Sequence, residues 1–391
     1  MKILFYNTSD VSETKGGTER ITARISTGFT RLGHHCYLAY SEEIDKRYPL
    51  TPFEGRINIE KNSFEQFLIE HDFDVIILQK MTRMVKELFR IRQCHKLHFK
   101  MISVLHFNPG FEEYGTTFRS FYKGLSHYHG ATEYLKDLVR TVIYPLYKIY
   151  YPYRSRDLYR TVYAYSDKVV VLSEAFISEY SEYAHLNNPS KLMAIPNANS
   201  YNEWLPEELL KNKKKQVLVV SRLEERQKRI SLAIRAWKEI EKNERLKGWM
   251  LKIVGDGSSR AAYEQLARDL GLKRVEFVGR QNPKSYYQES AVFMMTSAFE
   301  GWGLTLTEAQ QMGCVPIAFD SFSAVHDIID NGHNGLLICN NDLPAYSLGL
   351  TRLMLNTEER QRMATAALKT SKAFALENVM KEWNNLISNK K

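Results

Sequence analysis

Residues 296–313 read TSAFEGWGLTLTEAQQMG. The apolar run 292–295 leads into this stretch, and a helical pattern leaves it, so it reads as a strand end, a glycine-bearing loop and a helix start. Glu300 and Glu308 stand eight apart, with Gly301 and Gly303 between them. Gly303 and Leu304 offer main-chain N–H groups at the helix mouth, where the helix dipole also favours negative charge. A carboxylate near that first turn, Glu308, accepts two hydroxyl donors well, which a ribose diol matches. Glu300, at the strand end, is in reach of a sugar hydroxyl. The plainer alternative is that Glu308 complements the dipole and Glu300 is a surface loop residue.

Outward from this stretch, short apolar runs alternate with longer amphipathic ones. Runs at 3–6, 36–39, 75–78, 101–105, 168–172 and 191–195 precede the lysine-rich KNKKK (211–215). Others follow at 217–220, 251–254, 275–278, 292–295, 315–318 and 335–338. Such alternation indicates βα units and mostly parallel sheets. Two series predict an α/β chain of two Rossmann-like, doubly wound domains facing across a cleft, with ligands at the carboxyl ends of the strands. The expected domains are 1–203, with an aromatic and basic insert at about 111–160, and 204–375. An amphipathic helix at 376–391, containing Trp383, is expected to cross back to the first domain.

The 391 residues suit two or three domains, and 44% hydrophobic with 25% charged residues describes an ordinary globular protein. Net charge is +9, and it is not held in a tail. The window 119–160 alone carries eight basic and three acidic residues among many tyrosines, including YPLYKIYYPYRSR (144–156). That composition suits a phosphorylated ligand or anionic headgroups; an internally packed helical excursion is the alternative. No nucleic-acid-binding module surrounds it, so no nucleic-acid partner is expected. Cys36, Cys94, Cys314 and Cys339 form no CxxC pair, which points to a reducing compartment and no metal knuckle. MKILFYN enters a strand pattern without a signal peptide, and no apolar run approaches a membrane span. The expected location is cytoplasmic, with peripheral contact at the inner membrane face through 111–160.

Four further stretches bear chemistry. In KGGTER (15–20), Gly16 and Gly17 permit a tight turn that exposes backbone amides; alone it is also an ordinary strand-to-helix turn. In VLHFNPG (104–110), His106 directly follows a strand and can donate to a substrate hydroxyl or phosphate, or be a satisfied structural histidine. In SRLEERQKRI (221–230), Arg222 and Lys228 can hold the two phosphates of a diphosphate, or belong to a solvated charge run. Gly255 and Gly257 of GDG, with Gly279 and Arg280 of VGR, allow backbone to approach a flat ring such as a nucleotide base, although Gly-Asp-Gly is also common turn chemistry. There is no GxGxxG fingerprint and no GxxxxGK[ST] loop, no Ser-His-Asp triad, and no HExxH or aspartate pair that suggests a metal.

Taken in order, SRLEERQK, LKIVGDG, VEFVGR, EGWGLTLTEAQQMGCVPIAFD and NGHNGLLI resemble the retaining glycosyltransferases of family 4, which have the GT-B fold. The Glu300-to-Glu308 element is the most specific mark of that resemblance. KGGTER, RLGHHCYLAY, VLHFNPG, SDKVVVLSEAF and AIPNANS resemble the family more loosely, and about 111–160 lies outside the likeness. The resemblance implies transfer of a sugar from a nucleotide-diphosphate sugar to a glycan or lipid-linked acceptor, with retained configuration, no cofactor and no obligatory metal. It implies that Arg222 and Lys228 neutralise the leaving diphosphate and that Gly303 and Leu304 give it amides. Glu308 would hold the ribose and Glu300 the transferred sugar, with His106 beside that sugar and Gly16 and Gly17 on the acceptor side. Departures are Trp302 in place of Phe, SFSAVHDII (321–329) with Asp327 in place of a glycine-rich segment, and NAN (197–199) in place of Asn-Gly. A phosphorylase or synthase on the same fold, and a non-catalytic sugar-binding subunit, are the competing functions.

Overall fold

The computed structural model describes residues 1–12, 16–43, 50–112, 139, 142 and 144–388. The chain divides into two compact units at Ile195 and Pro196. Most of the 111–160 insert lies outside the described residues, as do Lys15 and the last three residues.

The first unit is built on seven strands: β1 (Lys2–Ser9), β2 (His35–Glu42), β3 (Gly55–Asn58), β4 (Val75–Leu78), β5 (Lys100–Val104), β6 (Lys168–Val171) and β7 (Leu192–Ala194). Their order is β3-β2-β1-β4-β5-β6-β7, and the pairings are parallel, with Ile3 opposite both Cys36 and Val75. Every residue of β4, VIIL, is buried, as a strand covered on both faces requires. β3 is a strand that apolar patterning does not reveal: only Ile57 and Asn58 of its four residues are buried. Helices such as Gly17–Arg31 and Met84–Cys94 connect the strands.

The second unit repeats the plan with β8 (Lys214–Val220), β9 (Met250–Val254), β10 (Val275–Gly279), β11 (Ser290–Met295), β12 (Val315–Asp320) and β13 (Leu336–Cys339). The parallel order is β10-β9-β8-β11-β12-β13. Its core packs Val217, Leu251, Val292 and Ile317 of the sheet against Trp237, Tyr346 and Leu353 from helices Ile230–Glu241 and Leu343–Leu355. β8 starts inside the lysine-rich stretch; Lys214 and Lys215 are exposed at its outer end, so their charges stay in water while the backbone pairs. The terminal helix Leu376–Ser388, with Trp383 buried, is counted with this unit.

All twelve expected apolar runs are strands, and both sheets are doubly wound. Strand order reverses between β1 and β4 in the first sheet and between β8 and β11 in the second. Open α/β sheets bind ligands outside the carboxyl ends of the strands at such reversals.

Candidate donor and sugar sites

At the β8/β11 reversal, the loop after β8 and the loop after β11 are bonded into one body. Ala298 N–H donates to the Gln227 carbonyl at 2.7 Å, and Thr296 Oγ1 donates to the carbonyls of Lys228 and Arg229 at 3.1 and 3.0 Å. Arg229 is left-handed (φ 47°) between two helical segments, and its guanidinium donates to the carbonyls of Thr296 and Ser297 and to the side chains of Asn340 and Asn341. That fan of bonds holds three strand ends together and turns Lys228 toward Glu300.

Glu300 is the hub of this body. The Lys228 ammonium pairs with its Oε1, Ser297 Oγ donates to the same oxygen at 2.6 Å, and Gln227 Nε2 donates to Oε2 at 3.2 Å. Gln227 Oε1 in turn accepts from the Arg222 guanidinium at 3.2 Å. Arg222, Lys228 and Glu300, separate in sequence, thus form one hydrogen-bonded group, with Gln227 as its unforeseen link. Arg222 is exposed, while Glu300 is only 7% exposed, so the group presents cations over a held carboxylate. Its charge-assisted bonds are of the strong kind.

The helix that follows, Leu304–Gln311, starts at Gly303, which has φ 83° and ψ 52°, and no side chain among the described residues caps it. Gly303 must be left-handed here, a conformation L-residues rarely adopt. Gly301 and Trp302 before it are buried; the Trp302 ring stands edge-on to Phe374 at 5.1 Å. Glu308 is the fifth residue of the helix and fully buried. Its carboxylate already receives two hydroxyls from the chain, Ser200 Oγ at 2.5 Å and Tyr287 OH at 2.9 Å. The diol-like recognition expected of Glu308 is therefore occupied internally in this conformation.

The GDG glycines have a packing reason. A Cβ on Gly255 would lie 1.8 Å from the Ser221 carbonyl oxygen, and one on Gly257 would lie 2.4 Å from that of Leu223. Backbone bonds Leu223 N–H to Asp256 O and Ser259 N–H to Leu223 O, at 2.9 and 3.0 Å, draw the two loops together. Gly279 (φ 84°) ends β10, its carbonyl accepting from Gly255 N–H at 2.8 Å, and Arg280 beyond it is exposed. Asp327 is exposed in the first turn of the short helix Val325–Ile328.

In the first unit, Gly16 precedes the helix Gly17–Arg31, and a Cβ on it would meet the Glu19 carboxylate. His106 follows β5, and its Nε2 lies 2.5 Å from Oε1 of Gln79, which follows β4. Burial pushes the His106 pKa down to about 4, so the ring is neutral at neutral pH. Nothing in the sequence singled out Gln79, Ser200, Gln227 or Tyr287. Each is a neutral polar residue whose role comes from the partner the fold brings to it.

Residues 200–370, nearly all of the second unit, match the family model described as Glycosyl transferases group 1. That stretch resembles the group 1 glycosyltransferases. An uncharacterized glycosyltransferase of Haemophilus influenzae is 24% identical over 95% of this chain and 96% of its own. The amylovoran biosynthesis glycosyltransferase AmsD of Erwinia amylovora is 27% identical over 58% of this chain, a stretch spanning 63% of its own length. Among solved structures, the lipopolysaccharide outer core galactosyltransferase WaaB superposes with a TM-score of 0.67 at 20% identity, over 99% of both chains. Anabaena HepE, in complex with UDP-glucose, superposes at 0.71 with 15% identity, over 99% of both. The fold is GT-B, and the resemblance read from the glycosyltransferase segments holds at the level of group 1. Among the described residues, no helix is long and apolar enough to cross a membrane, and no cluster of side chains is arranged to hold a metal ion.

Proposed function

We propose that the chain is a retaining glycosyltransferase that moves a sugar from a nucleotide-diphosphate sugar to an acceptor hydroxyl in surface polysaccharide or glycolipid synthesis, without an obligatory metal. The observation that carries this reading is the Arg222–Gln227–Glu300–Lys228 group at the β8/β11 reversal, beside an uncapped helix start. In this reading Arg222, Lys228 and the N–H groups of Gly303 and Leu304 stabilise charge building on the leaving diphosphate. Glu300, held by Lys228, Ser297 and Gln227, accepts from hydroxyls of the transferred sugar. Glu308 takes the ribose diol by exchanging the Ser200 and Tyr287 hydroxyls for it. Gly255, Gly257, Gly279, Arg280 and Gly301 border the nucleotide, while His106, Gly16 and Gly17 serve the sugar and acceptor. The C1–phosphate bond breaks as the acceptor oxygen bonds C1 on the same face, and the acceptor proton passes to the departing phosphate oxygen. The UDP-glucose held by HepE and the polymer chemistry in the names of AmsD and WaaB support the donor class and the setting.

The test is a thermal-shift and hydrolysis screen with UDP- and GDP-sugars. Stabilisation and turnover with at least one are expected; turnover with a sugar 1-phosphate alone would instead favour a phosphorylase. Binding without turnover of any donor or acceptor would favour a non-catalytic subunit.

Peripheral membrane contact is the second reading. In and before the helix Tyr144–Tyr165, Val139, Val142, Leu146, Tyr150 and Tyr153 are each at least half exposed and recur at three- and four-residue spacing, which aligns them on one helical face. Exposed Lys148 and Arg154 supply charge for anionic headgroups. Cosedimentation with vesicles containing anionic lipid, weakened by salt, is the expected result; no binding at low ionic strength contradicts it.

A further inference from the structure

The first sheet's reversal point holds polar atoms that the donor site does not use. Gln79 sits beside β1, its backbone N–H donating to the Tyr6 carbonyl at 2.9 Å. It is 2% exposed, and its side-chain Nε2 has no hydrogen-bond partner among the described residues. Asn108, two residues past His106 and 8% exposed, leaves Oδ1 without a partner among the described residues. Buried amide groups are nearly always satisfied, because an unmade hydrogen bond there leaves desolvation uncompensated. Both orphans lie just past the carboxyl ends of β4 and β5, where such sheets take ligands.

The 2.5 Å contact between Gln79 Oε1 and His106 Nε2 fixes a direction. An amide oxygen only accepts, so the facing ring nitrogen must carry the proton. The ring being neutral, its Nδ1 is then bare and can only accept. A hydroxyl both donates and accepts, so adjacent hydroxyls of a carbohydrate would satisfy a bare imine nitrogen, an amide N–H and an amide oxygen at once.

We propose that Gln79 is a positioning residue that holds His106 as its Nε2–H tautomer, and that His106 Nδ1, Gln79 Nε2 and Asn108 Oδ1 form a recognition set for sugar hydroxyls. The sugar as ligand rests on the transferase reading; the tautomer assignment does not. The test is therefore double. In ¹⁵N-histidine-labelled chain at neutral pH, with the His106 signal identified by its loss in His106→Gln, wild type shows the proton on Nε2. Gln79→Leu gives a mixture of tautomers, and Gln79→Glu, which keeps an acceptor oxygen, restores the proton to Nε2. A wild-type Nδ1–H ring, or an unchanged pattern in Gln79→Leu, overturns the assignment.

The second arm uses whichever of UDP-glucose, UDP-galactose, UDP-GlcNAc and GDP-mannose wild type hydrolyses fastest. Gln79→Leu and Asn108→Ala each lower kcat/KM by about tenfold while affinity for the free nucleoside diphosphate is unchanged. Unchanged kcat/KM, or an equal loss in free-nucleotide affinity, removes the sugar-recognition role. Absence of turnover with all four donors removes the transferase reading and the carbohydrate ligand with it, while the tautomer measurement still decides Gln79.

Discussion

Glu300 shows what a single residue's surroundings add to its identity. Three donors hold its carboxylate, so the side chain is preorganised before any ligand arrives. Gln227 shares the task and leaves Arg222 less encumbered than a direct ion pair would. Arg222→Ala should therefore lower turnover by on the order of 10²-fold, as loss of a group opposing developing charge does, with little change in thermal midpoint; wild-type kinetics would remove its role. For Glu308, substitution by Gln is the better probe, because Ala would strand the buried Ser200 and Tyr287 hydroxyls. Glu308→Gln is expected to weaken nucleoside diphosphate binding several-fold, about 1 kcal/mol, measured by calorimetric titration.

His106 adds a pH signature. Its folded pKa, about 4, lies below the ordinary value of 6.5, so the unfolded chain binds more protons between those values. Its contribution to stability is complete above the unfolded pKa and is lost as pH falls through that window. In urea unfolding, the wild-type midpoint should fall more steeply from pH 6.5 to 4 than that of His106→Gln; parallel curves would show that the histidine is not held neutral by burial.

At the scale of elements, two loops and one helix start make up the proposed donor site, and glycines set their shape. Gly255→Ala would put a methyl 1.8 Å from a backbone carbonyl at φ 142°, which should cost about 2–4 kcal/mol in urea unfolding. Gly303→Ala, at φ 83° with only side-chain atoms nearby, should cost about 1–2 kcal/mol and weaken nucleotide binding beyond that loss.

The parallel strands were legible because buried strands read as continuous apolar runs such as VIIL, and GDG and EGWG marked the loops that need glycine. β3 was not legible, since a four-residue strand with half its residues buried has no pattern to read. Arg222, Lys228 and Glu300 were singled out by their place after strands and by the family resemblance, and the structure joins them in one hydrogen-bonded group. Ser200 and Tyr287, which hold Glu308, were beyond reach: they lie 108 and 21 residues from it, and only the tertiary fold brings a hydroxyl to each carboxylate oxygen.

At the scale of the whole molecule, two sheets of the same doubly wound design each place polar groups at the point where strand order reverses. The second sheet's point gathers cations and a helix start, which suits a diphosphate; in the first sheet, neutral amides and an uncharged imidazole lie past β4 and β5, which suits hydroxyls. That division of chemistry is what a transferase needs, one site for the charged leaving group and another for sugar. On the proposed function, the β8/β11 reversal binds the diphosphate of a donor. Calorimetric titration of UDP and GDP into wild type and Lys228→Ala tests it most directly: one nucleotide should bind wild type, and the variant should bind it at least about tenfold more weakly. Failure of both nucleotides to bind wild type, or equal affinity in the variant, would contradict the account.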